Sequence, residues 1–337
     1  MNTSQQLSPF NGPGPCLRDR GESKIIAQIR ETLSDATLPS PFGMGDDCAV
    51  LPLSAELGPL PSGLATVDAL TLGEHFSADC PPALAGRKLV HRNVSDIAAM
   101  GGRPEWALLT LLSGGGLRLS WLDAFIGGIR DAAIECNMRV VGGDVSALPS
   151  DLFSSVLTVH GSAQTPILRS TARVGDTIWV TGSLGGSLWG HHLTFSARVE
   201  EGVWLAQNVP ISAMMDISDG LAKDLPALIP KGLRAELELA KIPVSKAALQ
   251  KAANEPGLAL HAAFCDGEDY ELLFCTPPHT HNWLALWQQT FPQTALTAIG
   301  QLVSADNKSA ATTSLLFNAS TGTPLTFANG YEHFRSN

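Results

Sequence analysis

The sequence predicts two domains of mixed α/β (α+β) architecture. Its 337 residues amount to roughly two average domains. The apolar pattern of the first half switches repeatedly between a strand period and a helix period. A polar, irregular stretch from Ser162 to Arg173 then separates that half from a second run beginning at Gly175. The expected division is a loose tail over 1–21, a first domain over 22–161 and a second over 162–337.

The tail is polar, with prolines at 9, 13 and 15 and no apolar run of the kind a signal peptide needs. Ile25, Ile26, Ile29 and Leu33 recur at helical spacing, so Glu22 to Leu33 is expected to form a short amphipathic helix. Gly43 to Leu51 reads as a glycine turn, the acidic pair Asp46-Asp47 and an apolar strand. Adjacent aspartates also form turns for structural reasons alone. Gly63 to Leu70 is a buried strand carrying Asp68, a residue type depleted in strands and so harder to explain structurally. His75 follows in a loop, where most histidines are ordinary hydrogen-bonded residues.

Pro81 to Met100 has helical periodicity, and Gly101 and Pro104 supply the stop. On that helix Asp96 falls beside Leu89, Asn93 and Met100, at the edge of the apolar arc. A carboxylate turned toward a core is costly unless it is paired or holds a metal. Arg92, four residues back, offers the ordinary explanation of an ion pair within one helix. Trp106 to Leu112 follows as a strand and Leu119 to Asn137 as an amphipathic helix. Met138 to Asp144 is expected to be a strand ending in Gly142-Gly143-Asp144, where glycine lets the backbone approach a ligand. Leu152 to Gly161 closes the first half as a further strand.

The second half opens with a turn and strand over Gly175 to Gly182. Gly182 to Ser187 lacks the Lys-Ser/Thr ending of a P-loop and the spacing of a dinucleotide fingerprint, and reads as a strand-to-helix turn. Met214 to Leu221 places Asp216 and Asp219 three residues apart before a helix reaching about Ile229, a pattern that also suits a helix cap. Cys265 to Phe274 is an acidic turn entering an apolar strand.

Composition narrows the chemistry. Apolar content of 44% and charged content of 16% describe a compact chain. A net charge of −10 argues against nucleic acid or an anionic membrane as the main partner, and no run of eighteen apolar residues is present. Six cysteines (16, 48, 80, 136, 265, 275) without a Cys-x-x-Cys suit reduced thiols and a cytoplasmic setting. The recurring acidic clusters, without paired Cys or regularly spaced His, suit Mg²⁺ and hence phosphate chemistry. There is no kinase-type glycine loop, so the metals would supply the electrostatics.

These clusters, in this order, resemble the thiamine-monophosphate kinase family from about Glu22 to Phe334. The similar blocks are Gly43–Ala49, Val67–Phe76, Asn93–Gly102, Gly142–Asp144, Asp216–Leu221, Gly267–Leu272 and Gly330–Phe334. The resemblance implies the aminoimidazole-ribonucleotide-synthetase-like two-domain fold, with the first domain completing a dimeric β-barrel with its symmetry mate in a homodimer. It implies ATP-dependent phosphorylation of thiamine monophosphate to thiamine diphosphate, with ATP as co-substrate and several Mg²⁺ ions. Asp47, Thr66, Asp68, Asp96, Asp144, Asp216 and Asp219 match metal positions, Asp96 and Asp219 acting in catalysis through the bound metals. Gly143, Asp144, Arg169 and Ser218 resemble ATP contacts, and His75 and Glu268 resemble contacts to the thiamine substrate.

The chemistry agrees with that implication. A phosphate oxygen is already anionic near neutral pH, so the acceptor requires no general base. What it requires is charge screening and alignment of two polyanions. Departures from the family pattern are Val67 in place of Thr or Ser, Val145-Ser146 after the aspartate, Asp266 before Gly267, and Ala328 in place of an aromatic, with Phe327 as a neighbouring substitute. Two rival readings stand beside it: another ATP-using enzyme of the same fold, such as an aminoimidazole-ribonucleotide or selenophosphate synthetase, and a non-catalytic nucleotide-binding or regulatory protein left by decay of the active site.

Overall fold

The computed structural model describes residues 46–51, 62–149, 151–253, 255–278, 282–305 and 314–327, and positions 24 and 27 as helical. The tail, most of the 22–33 helix, the Gly43–Gly45 turn, Ala328 and the Gly330–Phe334 block lie outside the described residues.

The first half is a five-stranded sheet of order β1-β2-β5-β3-β4. Its strands are β1 (Ala49–Leu51), β2 (Ser62–Thr71), β3 (Arg103–Gly114), β4 (Arg139–Leu148) and β5 (Phe153–Ala163). Only β3 and β4 run parallel. Burial alternates strictly along β5, as expected when one face meets the core. Phe153, Leu157 and Val159 of that face pack with Leu64 and Leu70 of β2. Two helices, α1 (Pro82–Ala99) and α2 (Leu119–Glu135), supply Leu89, Val94, Phe125 and Ile129 to the same core.

The helices meet at small residues. A methyl group added at Gly86 would fall 2.1 Å from the Phe125 carbonyl oxygen, and one at Gly128 would fall 2.0 Å from that of Ala83. This close approach seats α1 without freedom to roll, which matters because α1 carries Asp96.

The second half is a six-stranded sheet of order β11-β8-β10-β6-β9-β7. It comprises β6 (Thr177–Thr181), β7 (Ala213–Asp216), β8 (Leu233–Leu237), β9 (Leu272–Thr276), β10 (Leu296–Ser304) and β11 (Leu316–Asn318). The helices here are α3 (His191–Thr194), α4 (Val199–Asn208), α5 (Leu221–Leu228), α6 (Lys246–Lys251), α7 (Pro256–Cys265) and α8 (Leu284–Thr290). β7 and β9 are buried at every position because this sheet is covered on both faces. Leu221, Leu225 and Phe264 belong to one core, while Leu205, Trp283 and Trp287 belong to another. The C-terminal end of α1 enters the latter through Ala99, so α1 is shared by both halves.

β4 differs from its expected form. The strand does not end at the glycines but continues through them to Leu148. Gly143 serves this pairing directly, since a methyl there would sit 1.7 Å from the Leu109 carbonyl oxygen of β3. Periodicity reports which face a residue occupies, not how closely two strands approach.

Candidate active site

Three carboxylates converge where the two halves meet. One oxygen each of Asp47, Asp96 and Asp216 lies within 4.8 Å of the others. Asp47 enters β1, Asp96 sits on the last turn of α1, and Asp216 ends β7. Hydroxyls orient them: Thr66 donates to Asp96 at 2.5 Å and Ser95 donates to Asp216 at 2.5 Å. A cleft of about 820 Å³ opens from this cluster, lined also by Asp68, His75, Arg169, Ser218, Asp219 and Glu268.

Two structural explanations for these aspartates fail. Arg92 does not pair with Asp96; it reaches β2, bonding Asp68 at 2.8 Å and the Ala69 carbonyl at 2.8 Å. The Asp216–Asp219 pair does not cap α5, whose N-cap is Gly220 without a side-chain cap bond. Asp219 instead pairs with Lys223 at 2.8 Å, and its backbone N–H donates to Asp224 at 2.9 Å. Arg169 lies across the acidic pair, 2.7 Å from Asp47, while its N–H donates to Asp46.

Burial pushes the Asp47 and Asp96 carboxyls well above the ordinary carboxylate range, with Asp216 adding repulsion to each. Asp216 itself is raised to about 6, mainly by burial and despite the Ser95 hydrogen bond. Oδ2 of Asp47 is buried with no hydrogen-bond partner. Three desolvated carboxylates with an orphaned oxygen fit a hard divalent cation. A raised carboxyl pKa stabilises the fold most at low pH, and that stability is lost as pH rises through about 6. A cation must displace those protons. Mg²⁺ affinity, read by calorimetry, is therefore expected to fall by about tenfold or more from pH ~7.5 to pH ~5. A flat profile would contradict the reading of the cluster as a cation site.

The cleft's far wall holds the Gly267–Tyr270 turn. Glu268 and Tyr270 both have positive φ, 55° and 50°, a strained state for residues with side chains. Backbone bonds hold the turn to the Asp216–Asp219 loop, Glu268 N–H to the Ser218 carbonyl at 2.6 Å and Tyr270 N–H to that of Ile217 at 2.8 Å. Burial raises the Glu268 carboxyl, but His192 and Lys88 outweigh it and hold it down at about 2. His75 lines the same wall and its Nδ1 accepts from the Thr71 N–H at 3.0 Å.

Gly143 and Asp144 are not in this cleft. Strand register places Asp144 level with Thr110, Val156 and Ala69, three strands away from Asp68's strand. At about 4.8 Å per strand spacing that is roughly 14 Å. Phe327, the neighbouring substitute for an aromatic at 328, is stacked on Phe264 with centroids 3.9 Å apart and does not reach the cleft. Lys88 and His192 are the residues that sequence reasoning missed. A signal existed for the first, because Lys88, Arg92 and Ser95-Asp96 repeat at helical spacing along one face of α1. His192 carries no comparable pattern.

The mixed α/β fold, with an acidic cleft between its halves, is AIR-synthase-like. Residues 45–163 match the family described as AIR synthase related protein, N-terminal domain. The solved structure of AaThiL complexed with AMPPCP and TMP superposes with a TM-score of 0.79 at 28% identity, covering 95% of this chain and 99% of that one. Thiamine-monophosphate kinase of Rhodopirellula baltica is 36% identical over 77% of this chain and 83% of its own. That of Salmonella typhimurium is 33% identical over 93% and 98%. The chain belongs to the thiamine-monophosphate kinase family.

Proposed function

We propose that this chain transfers the γ-phosphoryl group of ATP to the phosphate of thiamine monophosphate, forming thiamine diphosphate and ADP. The observation that carries this reading is the convergence of Asp47, Asp96 and Asp216 from both halves on one cleft, in a chain of this family. Asp47, Thr66, Asp68, Asp96, Asp216 and Asp219 are read as the Mg²⁺-holding set, of which Asp96 and Asp219 act in catalysis through the metals. Bound Mg²⁺ would supply charge neutralisation between donor and acceptor phosphates. The protein's own part is positional. Thr66 and Ser95 fix two of the carboxylates, Arg169 offers a guanidinium for phosphate, and Ser218 offers a hydroxyl for the nucleotide. His75 and Glu268 face the acceptor; a Glu268 carboxyl whose pKa is held low suits the cationic thiazolium ring.

The active unit is proposed to be a homodimer in which the first domain, 22–161, pairs with its symmetry mate into a closed β-barrel, and 162–337 forms the second domain. β4 supports this: it is a sheet edge, exposed at all but its last residue, and it presents Val140, Val141 and Val145 to solvent. Such an edge invites pairing. Gly143 and Asp144 would then serve ATP and metal in the partner's cleft, which the 14 Å offset within one chain disfavours for their own. Among the described residues no helix is long and apolar enough to cross a membrane. The five described cysteines are free, which fits a reducing cytoplasm.

The test is product analysis with ATP, Mg²⁺ and thiamine monophosphate, using free thiamine as control. Thiamine diphosphate and ADP are expected together from the monophosphate only. ATP bound without any diphosphate formed would remove the assignment.

A further inference from the structure

Lys88 is fully buried, an unusual place for an ammonium group. It emerges from the middle of α1 in the first half, and its Nζ meets three groups from three separate segments. These are the His75 carbonyl at 2.7 Å, Glu268 Oε2 at 2.6 Å and His192 Nδ1 at 2.8 Å. Two of the ammonium protons go to the His75 carbonyl and Glu268 Oε2, and His192 Nδ1 completes the cluster with a role set by its tautomer. His192 Nδ1 is also 2.8 Å from Glu268 Oε2, so both neighbours crowd the same carboxylate oxygen. Oε1 is thereby left to a ligand in the cleft that Glu268 lines.

We infer that Lys88 is a positioning residue for the acceptor: buried behind the wall and acting through Glu268, it ties the His75 loop to the strained Glu268 turn. The inference rests on the proposed kinase reading for the identity of the acceptor. Its physical basis is separate. Glu268 sits on a left-handed turn held by backbone bonds, and Lys88 fixes where its carboxylate points. The anchor belongs to the same helix as Asp96, eight residues before it, so the helix that carries the phosphate-facing carboxylate also sets the opposite wall. The distance between those two walls is what an acceptor joining a phosphate to a cationic ring must match.

The test compares steady-state kinetics of wild type, Lys88→Met, Glu268→Gln and the double variant. Lys88→Met is expected to raise KM for thiamine monophosphate about tenfold or more, with kcat within about threefold and KM for ATP unchanged. The double variant is expected to match Glu268→Gln alone, because Lys88 acts through that carboxylate. An unchanged acceptor KM in soluble Lys88→Met overturns the inference, as does an equal loss against both substrates. If Lys88→Met does not fold, the double variant, which leaves no unpaired buried charge, decides: an acceptor KM well above that of Glu268→Gln overturns it. Should wild type form no thiamine diphosphate, the kinase reading falls by itself. Calorimetric affinity of the same four proteins for thiamine monophosphate then decides the role of Lys88, with unequal wild-type and Lys88→Met affinities expected and equal ones overturning it.

Discussion

Asp96→Asn is expected to lower turnover of thiamine monophosphate by about a thousandfold or more while leaving the folded protein intact. The side chains are nearly the same size, and the Thr66 hydroxyl that bonds Asp96 retains a carbonyl oxygen to donate to. What changes is charge. One of three converging carboxylates becomes neutral and can present an N–H where a cation should sit. Because burial already penalises the ionised form of Asp96, the metal-free variant is expected to melt at the same temperature as wild type or higher. Its Mg²⁺-dependent stabilisation by ATP should disappear. Thermal melting with and without ATP and Mg²⁺, alongside turnover, checks both halves of the statement. A variant that keeps about a tenth of wild-type turnover would show that Asp96 is not central to the reaction.

Asp144→Asn should also be inactive, yet mixing it with Asp96→Asn protomers should restore activity. In the proposed homodimer, with Asp144 serving the partner, a mixed pair has one cleft with both defects and one with neither. Random assortment makes half of the dimers mixed, so roughly a quarter of wild-type activity should return. Protomers would be unfolded together, refolded and assayed against each variant refolded alone. A mixture as inactive as its parents would place Asp144 outside any shared site. The argument for restoration is metric: Asp144 is level with Ala69 across the sheet but three strands away from it.

The carboxylates on regular elements were legible in the sequence because the period of those elements is clear. α1 spans Pro82–Ala99 against an expected Pro81–Met100, and its apolar arc correctly places Asp96 beside the core. Strand β2 likewise carries Asp68 where expected. Partner choice was not legible. Arg92 has a carboxylate four residues along its own helix and still bonds one on β2, because sheet-to-helix packing brings Asp68 closer to its guanidinium nitrogen. The length of β4 was hidden for a related reason: Gly143, which looks like a strand end, is there to admit the neighbouring strand. Lys88 was overlooked because a lysine in an amphipathic helix is ordinarily solvated, and only the fold reveals the three polar groups around it.

The Lys88–Glu268 contact also has a bearing on how the chain is made. Its two residues are 180 positions apart, and Ser95 and Asp216 are 121 apart. At ribosomal speeds of roughly 5–20 residues per second, the lysine waits about 10–35 s for its carboxylate. Until then α1 carries an ammonium whose carboxylate has not yet been made, so final seating of Lys88 must follow emergence of the Glu268 turn. A chain stopped short of Glu268 would leave Lys88 without the carboxylate that neutralises it in the folded protein.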